Sequence, residues 1–485
     1  MLEGLEATEI PWSSLNAEVR YEAEFFQKKY LREDTYLAKF PEQSIGNFAY
    51  VTDGPHGYHI VDESSPIAML TAKCAKDWFT DRSSAETITE SVNLANRRSM
   101  LEKNDIILST RGTVGMCALV TKEALPANID QDVARISWLD KQSIRPEFVI
   151  AYLNSKFGQD HIRRYSSGMV QQGLSLQKVR EIPIPLLSDR VQGALAIAVQ
   201  SALKSRREAS LKSDEAESIL RRALGVEKWQ APEPLTYVRN SSAVFAAGRL
   251  DAQYFQPEKA AALEILAAAS DSVIGNYYES IRDLWQPDNG QPDEQVRNYD
   301  LSDALVPFLD GNKELAERGT IASTKKKIEE GDLVVSRLRS YLKEIAIVQS
   351  SADVPMVAST EFIVLRPRQA NPLPIEALLI YLRSHLPQLI FKWSQDGSNH
   401  PRFDEKELLK LPVPRVVVEQ ADQYVEIVNA MVTAREKSAQ LIDAAKRAVE
   451  IAIEQDEAAG LAYLAAQSAL SPGVQPSAST AGYLQ

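Results

Sequence analysis

Cysteine is nearly absent: the 485 residues include only Cys74 and Cys117. Two thiols cannot build a disulfide framework, and the chain is expected in the reducing cytoplasm. Long apolar runs are missing too. No window reaches 18 uninterrupted apolar residues, so no membrane span is expected. The opening MLEGLEATEIPWSS has neither the basic start nor the apolar core of a signal peptide. Histidine is scarce and scattered, with five in all, and neither HExxH nor CxxC occurs, so a metal site is not expected. There is no GxxxxGK[ST] phosphate loop and no GxGxxG dinucleotide turn, which removes the common nucleotide-binding enzymes. Positive charge is in deficit, with 54 Lys and Arg against 66 Asp and Glu and a net charge of -12. That excludes a generally basic nucleic-acid coat but leaves room for local basic patches, which are what binding needs.

What is present is an ordinary core-forming composition, 44% apolar and 25% charged, in a chain long enough for more than one domain. Its organising feature is an internal repeat. RYEAEFF at 20–26 returns as RLDAQYF at 249–255, 229 positions later. At the same offset SIGNF at 44–48 returns as VIGNY, AYLNS at 151–155 as IYLRS, and IPIP at 182–185 as LPVP. NDIILS at 104–109 and GDLVVS at 331–336 lie 227 apart. Anchors kept in one order with so little drift are hard to obtain by chance.

Each copy reads as mixed α and β. IILS and LVVS are short β-rich runs after a polar turn and predict strands, with further strand candidates over 118–139. Residues 146–157 and 374–386 predict short helices, each with proline near its first turn. IPIP and LPVP cannot be central strands, because proline has no N–H to donate; they predict edge or exit segments. A long helix follows each. In the second, Tyr424, Val428, Met431, Arg435, Ser438, Ile442, Ala445, Val449 and Ala452 advance in steps of four and three and fall along one stripe. In the first, Val191, Leu195, Val199, Ala202, Ala209, Ala216, Ile219 and Leu220 repeat the pattern less regularly. The expected fold is therefore mixed α/β: two repeated α+β domains, each followed by a long helix, the two helices pairing as an antiparallel coiled coil. The boundaries expected are 1–187 and 229–416 for the domains and 188–228 and 417–456 for the helices. A tail over 457–485, rich in Ala, Ser, Gly and Pro, is expected to be disordered.

Two loops per copy are candidates for nucleic-acid contact. After the first strand, Thr110, Arg111 and Thr113 sit among Gly112 and Gly115, where tight backbone could offer polar side chains to phosphates or base edges. A structural hairpin with a solvated arginine is the competing reading. The second copy has Arg337, Arg339 and Tyr341 there and has lost both glycines. The loop before each proline exit offers Arg163, Arg164, Ser167, Gln171 and Gln172 in the first copy. In the second it offers Ser398, Asn399, His400 and Arg402. Arginine pairs well with guanine edges, and Asn or Gln with adenine. The run Lys325, Lys326, Lys327, followed by Glu329 and Glu330, predicts a solvated face.

The set NDIILSTRGTVG, PEFVIAYLNSKFGQDHI, SSGMVQQGLSLQKVREIPIPLL and its helix, then GDLVVSR through LLKLPVPR, resembles the specificity subunit of type I restriction–modification systems. The resemblance reaches to about residue 455. It implies two target-recognition domains, each reading one half of a bipartite double-stranded DNA target, held apart by two antiparallel helices. It also implies a non-catalytic subunit with no cofactor of its own. Two methyltransferase subunits would bring S-adenosylmethionine, and restriction/translocase subunits would bring ATP and Mg. The second copy departs by carrying DGSNHPRFD where the first has SGMVQQGLS. Two rival readings are a nuclease with a diverged carboxylate site and a protein-interaction scaffold with no DNA role.

Overall fold

The computed structural model describes residues 8–10, 23–57, 60–140, 144–166, 173–311, 313–349, 354–397 and 400–470. The chain divides into two compact units, Met1–Arg207 with Arg435–Gln485, and Glu208–Ala434.

In the first unit β1 (Glu42–Ser44) and β2 (Ala49–Asp53) precede β3 (Ile106–Ser109), β4 (Cys117–Leu119) and β5 (Val133–Trp138). The main sheet runs β2-β5-β3-β4 with every pair antiparallel, then adds Phe79–Thr80 in parallel and Ala75–Lys76 at its edge. The IILS of β3 is buried at all four positions. Its alternate side chains enter different clusters: Ile106 and Leu108 face the helices, while Ile107 packs with Ala118 and Val133 on the other side. Burial on both faces explains an apolar run without alternation.

The helix expected over 146–157 is broken. α1 (Pro146–Asn154) stops at Ser155, and α2 (Lys156–Tyr165) starts directly after it. The Ser155 hydroxyl donates to the Tyr152 carbonyl at 2.6 Å and accepts from the Gly158 amide at 3.4 Å, so one residue ends one helix and caps the next. Gly158 is needed at this corner, since a Cβ there would lie 2.3 Å from the Tyr152 carbonyl oxygen. α3 (Leu176–Glu181) leads into β6 (Pro183–Pro185), which pairs with β1 in a two-stranded ribbon, the edge position its prolines require. α4 (Asp189–Ala223) follows.

The second unit repeats this plan. After β7 (Ser270–Val273), β8 (Tyr278–Ile281), β9 (Leu333–Ser336), β10 (Ile345–Val348) and β11 (Phe362–Pro367) form a sheet β8-β11-β9-β10, antiparallel throughout, plus Phe308–Leu309 in parallel. The register matches: Ile136 faces Ile106 in the first copy, and Leu365 faces Leu333 in the second. α5 (Ile375–Arg383), α6 (His385–Ser394) and α7 (Glu405–Leu409) precede β12 (Pro412–Pro414), which pairs with β7. The lysine run at 325–327 is not a solvated face. It lies on the strand Lys325–Ile328, where Lys325 is buried and its ammonium reaches Asp300 at 3.2 Å. Lys326 is half-buried, and only Lys327 of the three stays exposed.

α8 (Ala421–Glu454) is the second long helix. In the first unit the Ser188 amide donates to Glu457 at 2.9 Å and the Ser438 hydroxyl donates to the Ala202 carbonyl at 2.9 Å. Rising numbers on α4 therefore meet falling numbers beyond and along α8, and the helices are antiparallel. Val191, Leu195, Val199 and Ala202 share one buried cluster with Ile442, Ala445, Val449 and Ala452. In the second unit Ala216 and Leu220 share another with Tyr424, Val428 and Met431. Each unit is also latched to a long helix by a carboxylate. Glu450 accepts the Lys156 amide at 3.0 Å at the start of α2, and Glu217 accepts the His385 amide at 3.1 Å at the start of α6.

The segment expected to begin a disordered tail is helical over α9 (Glu457–Leu470). Asp456 caps it by accepting the Ala459 amide at 2.8 Å. Gly460 lets it lie against α8, as a Cβ there would sit 2.7 Å from the Ala448 carbonyl oxygen, and Leu464 enters the core of the first unit. The rest of the tail, 471–485, lies outside the described residues. No helix among the described residues is long and apolar enough to cross a membrane.

Candidate nucleic-acid interface

In each unit the two candidate loops are tied to one another. In the first, Arg111 forms an antiparallel bridge with Gly173, and the Leu174 amide donates to the Thr110 carbonyl at 2.9 Å. In the second, Leu338 bridges Arg402, and the Phe403 amide donates to the Arg337 carbonyl at 3.1 Å. These are the same bonds at the repeat offset. The serine ending the central strand turns the chain in the same way both times, with Ser109 Oγ donating to the Arg111 carbonyl at 3.0 Å and Ser336 Oγ to the Leu338 carbonyl at 2.9 Å.

Positive φ is kept where the glycines are lost, although the second loop is one residue longer and holds the turn Ser340–Leu342. Gly112 and Gly115 have φ of 70° and 95°, and at the matching positions Arg339 and Lys343 have φ of 49° and 53°. The second copy keeps a left-handed path with residues that resist it.

An acidic residue, missed in the sequence, closes each junction. Asp132 stands directly before β5, and its carbonyl accepts the Thr110 amide at 2.8 Å. Glu361 stands directly before β11, and its carbonyl accepts the Arg337 amide at 3.1 Å. Their side chains take arginines: Arg111 Nη1 lies 3.4 Å from Asp132 Oδ1, while Arg402 is bidentate on Glu361, Nε at 2.8 Å and Nη2 at 2.6 Å. Arg337 Nε lies 3.6 Å from the same carboxylate. The Arg402 guanidinium holds the Glu361 carboxyl below the usual carboxylate range. Only the repeat offset, 229 again, would have pointed to this pair in the sequence.

The other candidates divide into several groups. Arg111, Thr113, Arg339 and His400 are exposed at the junctions. Tyr341 lies in the turn Ser340–Leu342 beside Arg339. Thr110 is withdrawn from any ligand: it is buried, and its hydroxyl donates to the Asp132 carbonyl at 3.0 Å. Arg163 and Arg164 are not loop residues but belong to the last turn of α2, where positive charge suits the helix dipole. Arg163 pairs with Asp160. Arg164 is built into the fold, its guanidinium 4.3 Å from the Phe25 ring centre, bonded to the Phe25 carbonyl at 2.8 Å and to Asp34 at 2.9 Å. Ser167, Gln171, Gln172, Ser398 and Asn399 lie outside the described residues.

The junction of the second unit opens onto a groove of about 1280 Å³ whose walls include Arg249, Arg282, Lys326, Arg337, Arg402 and Lys406. Lys326 donates to the Phe362 carbonyl at 2.7 Å, and burial pushes its ammonium below the usual lysine range. Glu405 faces Arg282 at 2.8 Å, and Asp396, Asp404 and Glu407 also line the groove, so its wall is of mixed charge. Among the described residues no group of three or more His, Cys, Asp or Glu could hold a metal ion.

Fold and site together define an internally duplicated protein that builds one loop junction twice and dresses it with different side chains. No protein-family model matches the chain. Over 184 residues it is 27% identical to the type I restriction enzyme EcoBI specificity subunit of Escherichia coli, a match covering 36% of this chain. The chain spans only 38% of that relative's length in this match. Among solved structures it is similar to a type I restriction–modification S subunit from M. genitalium, at 13% identity and a TM-score of 0.33, covering 83% of this chain and 96% of that one. It is also similar to the HsdS subunit from Thermoanaerobacter tengcongensis, at 15% identity and a TM-score of 0.29, covering 86% and 97%. What this chain resembles, by its motifs and by the 184-residue match to the EcoBI subunit, is the specificity subunit of type I restriction–modification systems.

Proposed function

We propose that the chain is the DNA-specificity subunit of a type I restriction–modification complex. Each unit reads one half of a bipartite double-stranded target, and the long helices hold methyltransferase and restriction/translocase subunits around it. The observation that supports this most is the twice-built loop junction. The same backbone bonds recur in both copies while the exposed side chains differ, as two readers of different half-sites require. The net charge of -12 fits a division of labour in which partner subunits supply part of the phosphate grip. Methyl transfer and ATP-driven cleavage then belong to the partners, with S-adenosylmethionine, ATP and Mg bound there.

Deleting the gene from its host and mapping methylated bases across the genome tests the proposal. One bipartite motif should lose its methylation and regain it when the full chain is restored. Methylation unchanged by the deletion refutes the reading.

A further inference from the structure

We infer that Asp132 and Glu361 are positioning residues for base recognition, each the fixed carboxylate against which its copy's reading arginine is set. The inference rests on the specificity-subunit reading above.

The argument begins with the backbone. Both acids directly precede the strand beside the central one, and both carbonyls accept an amide from the strand-exit loop. Their main chains are thus pinned to the sheet. The side chains then face the bridge that joins the two loops, which is Arg111 with Gly173 in one copy and Leu338 with Arg402 in the other. Across that one bridge the arginine has changed sides. In the first copy it stands on the strand-exit loop opposite glycine, and in the second on the other loop opposite leucine. The carboxylate has not moved. What the two copies share is an arginine–carboxylate pair at one place, reached from either strand of the bridge.

Stability does not account for that repetition. Arg111 and Asp132 are 51% and 42% exposed, and Arg402 and Glu361 are 35% and 27% exposed, so solvent screens both pairs. Geometry suggests another use. Arg402 meets Glu361 through Nε and Nη2, and Nη1 donates to the His400 carbonyl at 2.8 Å. A guanidinium has five N–H groups, so two are left over, one on Nη1 and one on Nη2. With the Cδ-side hydrogen of Nη1 on His400, those two point off the end of the guanidinium as the fork that suits the O6 and N7 edge of guanine. Glu361 fixes the direction in which the fork points without using it.

The test uses the full chain in its host, with single variants restored to the deletion strain and methylated sites mapped by sequencing. Glu361→Gln keeps the shape and removes the charge. Preference for the correct base at one position of the half-site read by the second unit should fall roughly tenfold, the size of one lost base contact. The other half-site should be unaffected. Asp132→Asn should do the reverse, and Glu361→Asp, the residue type of the first copy, should retain the preference. Unchanged selectivity in both charge-removing variants overturns the inference, as does a loss of methylation in Glu361→Gln that Glu361→Asp does not restore. A restored wild-type chain that methylates no motif instead overturns the functional reading itself.

Discussion

Arg339 occupies a backbone conformation that its matching residue, Gly112, adopts freely. A left-handed non-glycine residue costs about 1 kcal/mol, and Arg339 makes that sacrifice on an exposed loop where glycine would serve the fold better. Arg339→Gly should therefore raise the unfolding free energy of the full chain by up to about 1 kcal/mol, less the unfolded-state entropy glycine adds, measured in denaturant, while relaxing the half-site proposed for the second unit. A second prediction concerns pH. Glu361 has a folded pKa below its ordinary value near 4.5, so its pair contributes stability above that value and loses it as the pH falls through the lower folded one. The wild-type chain should melt slightly higher than Glu361→Gln at pH 7, and thermal melts of the two should converge in acid. That the two copies carry loops at matching places was legible in the sequence, because polar, basic and glycine-marked stretches recur at the repeat offset. The acids were not, since a lone Asp or Glu before a strand forms no local pattern in an acidic chain. Arg164 was misread for the opposite reason: its partners Phe25 and Asp34 lie far from it in the chain, so nothing beside it announces its burial.

At the scale of elements, the long helices were legible because their apolar stripe repeats many times, and the proline exits because proline removes a donor. The corner between α1 and α2 was not. AYLNSKF has continuous helical propensity, and the break comes from a serine that caps across it and a glycine that fits beneath the preceding turn. α9 was hidden by its small-residue composition, which also describes a flexible tail; a single leucine and a close glycine contact settle it as packed. The latches Glu217 and Glu450 act at this scale. Each satisfies an orphan amide at a helix start. Alanine at either should cost about 1 kcal/mol, seen as a lower denaturation midpoint with an unchanged slope. The two losses should add in the double variant, because each lies within its own unit.

At the scale of the whole molecule, the duplication predicts modular exchange. Replacing residues 230–416 with the matching stretch of a relative should change one half of the methylated sequence and leave the other intact, as read from methylated-base maps. A change in both halves contradicts independent reading. The division into units has a different consequence for the order in which the protein forms. The second unit is one continuous stretch, Glu208–Ala434, and all of it can leave the ribosome and fold as it appears. The first unit is synthesised earlier yet finished later. Until residues beyond Arg435 emerge, the side chains of Val191, Leu195, Val199 and Ala202 lack the Ile442, Ala445 and Val449 that share their cluster. During translation the half made first is therefore the half that waits, with its apolar stripe open to chaperones and to other nascent chains, and premature termination after 434 would strand it in that state.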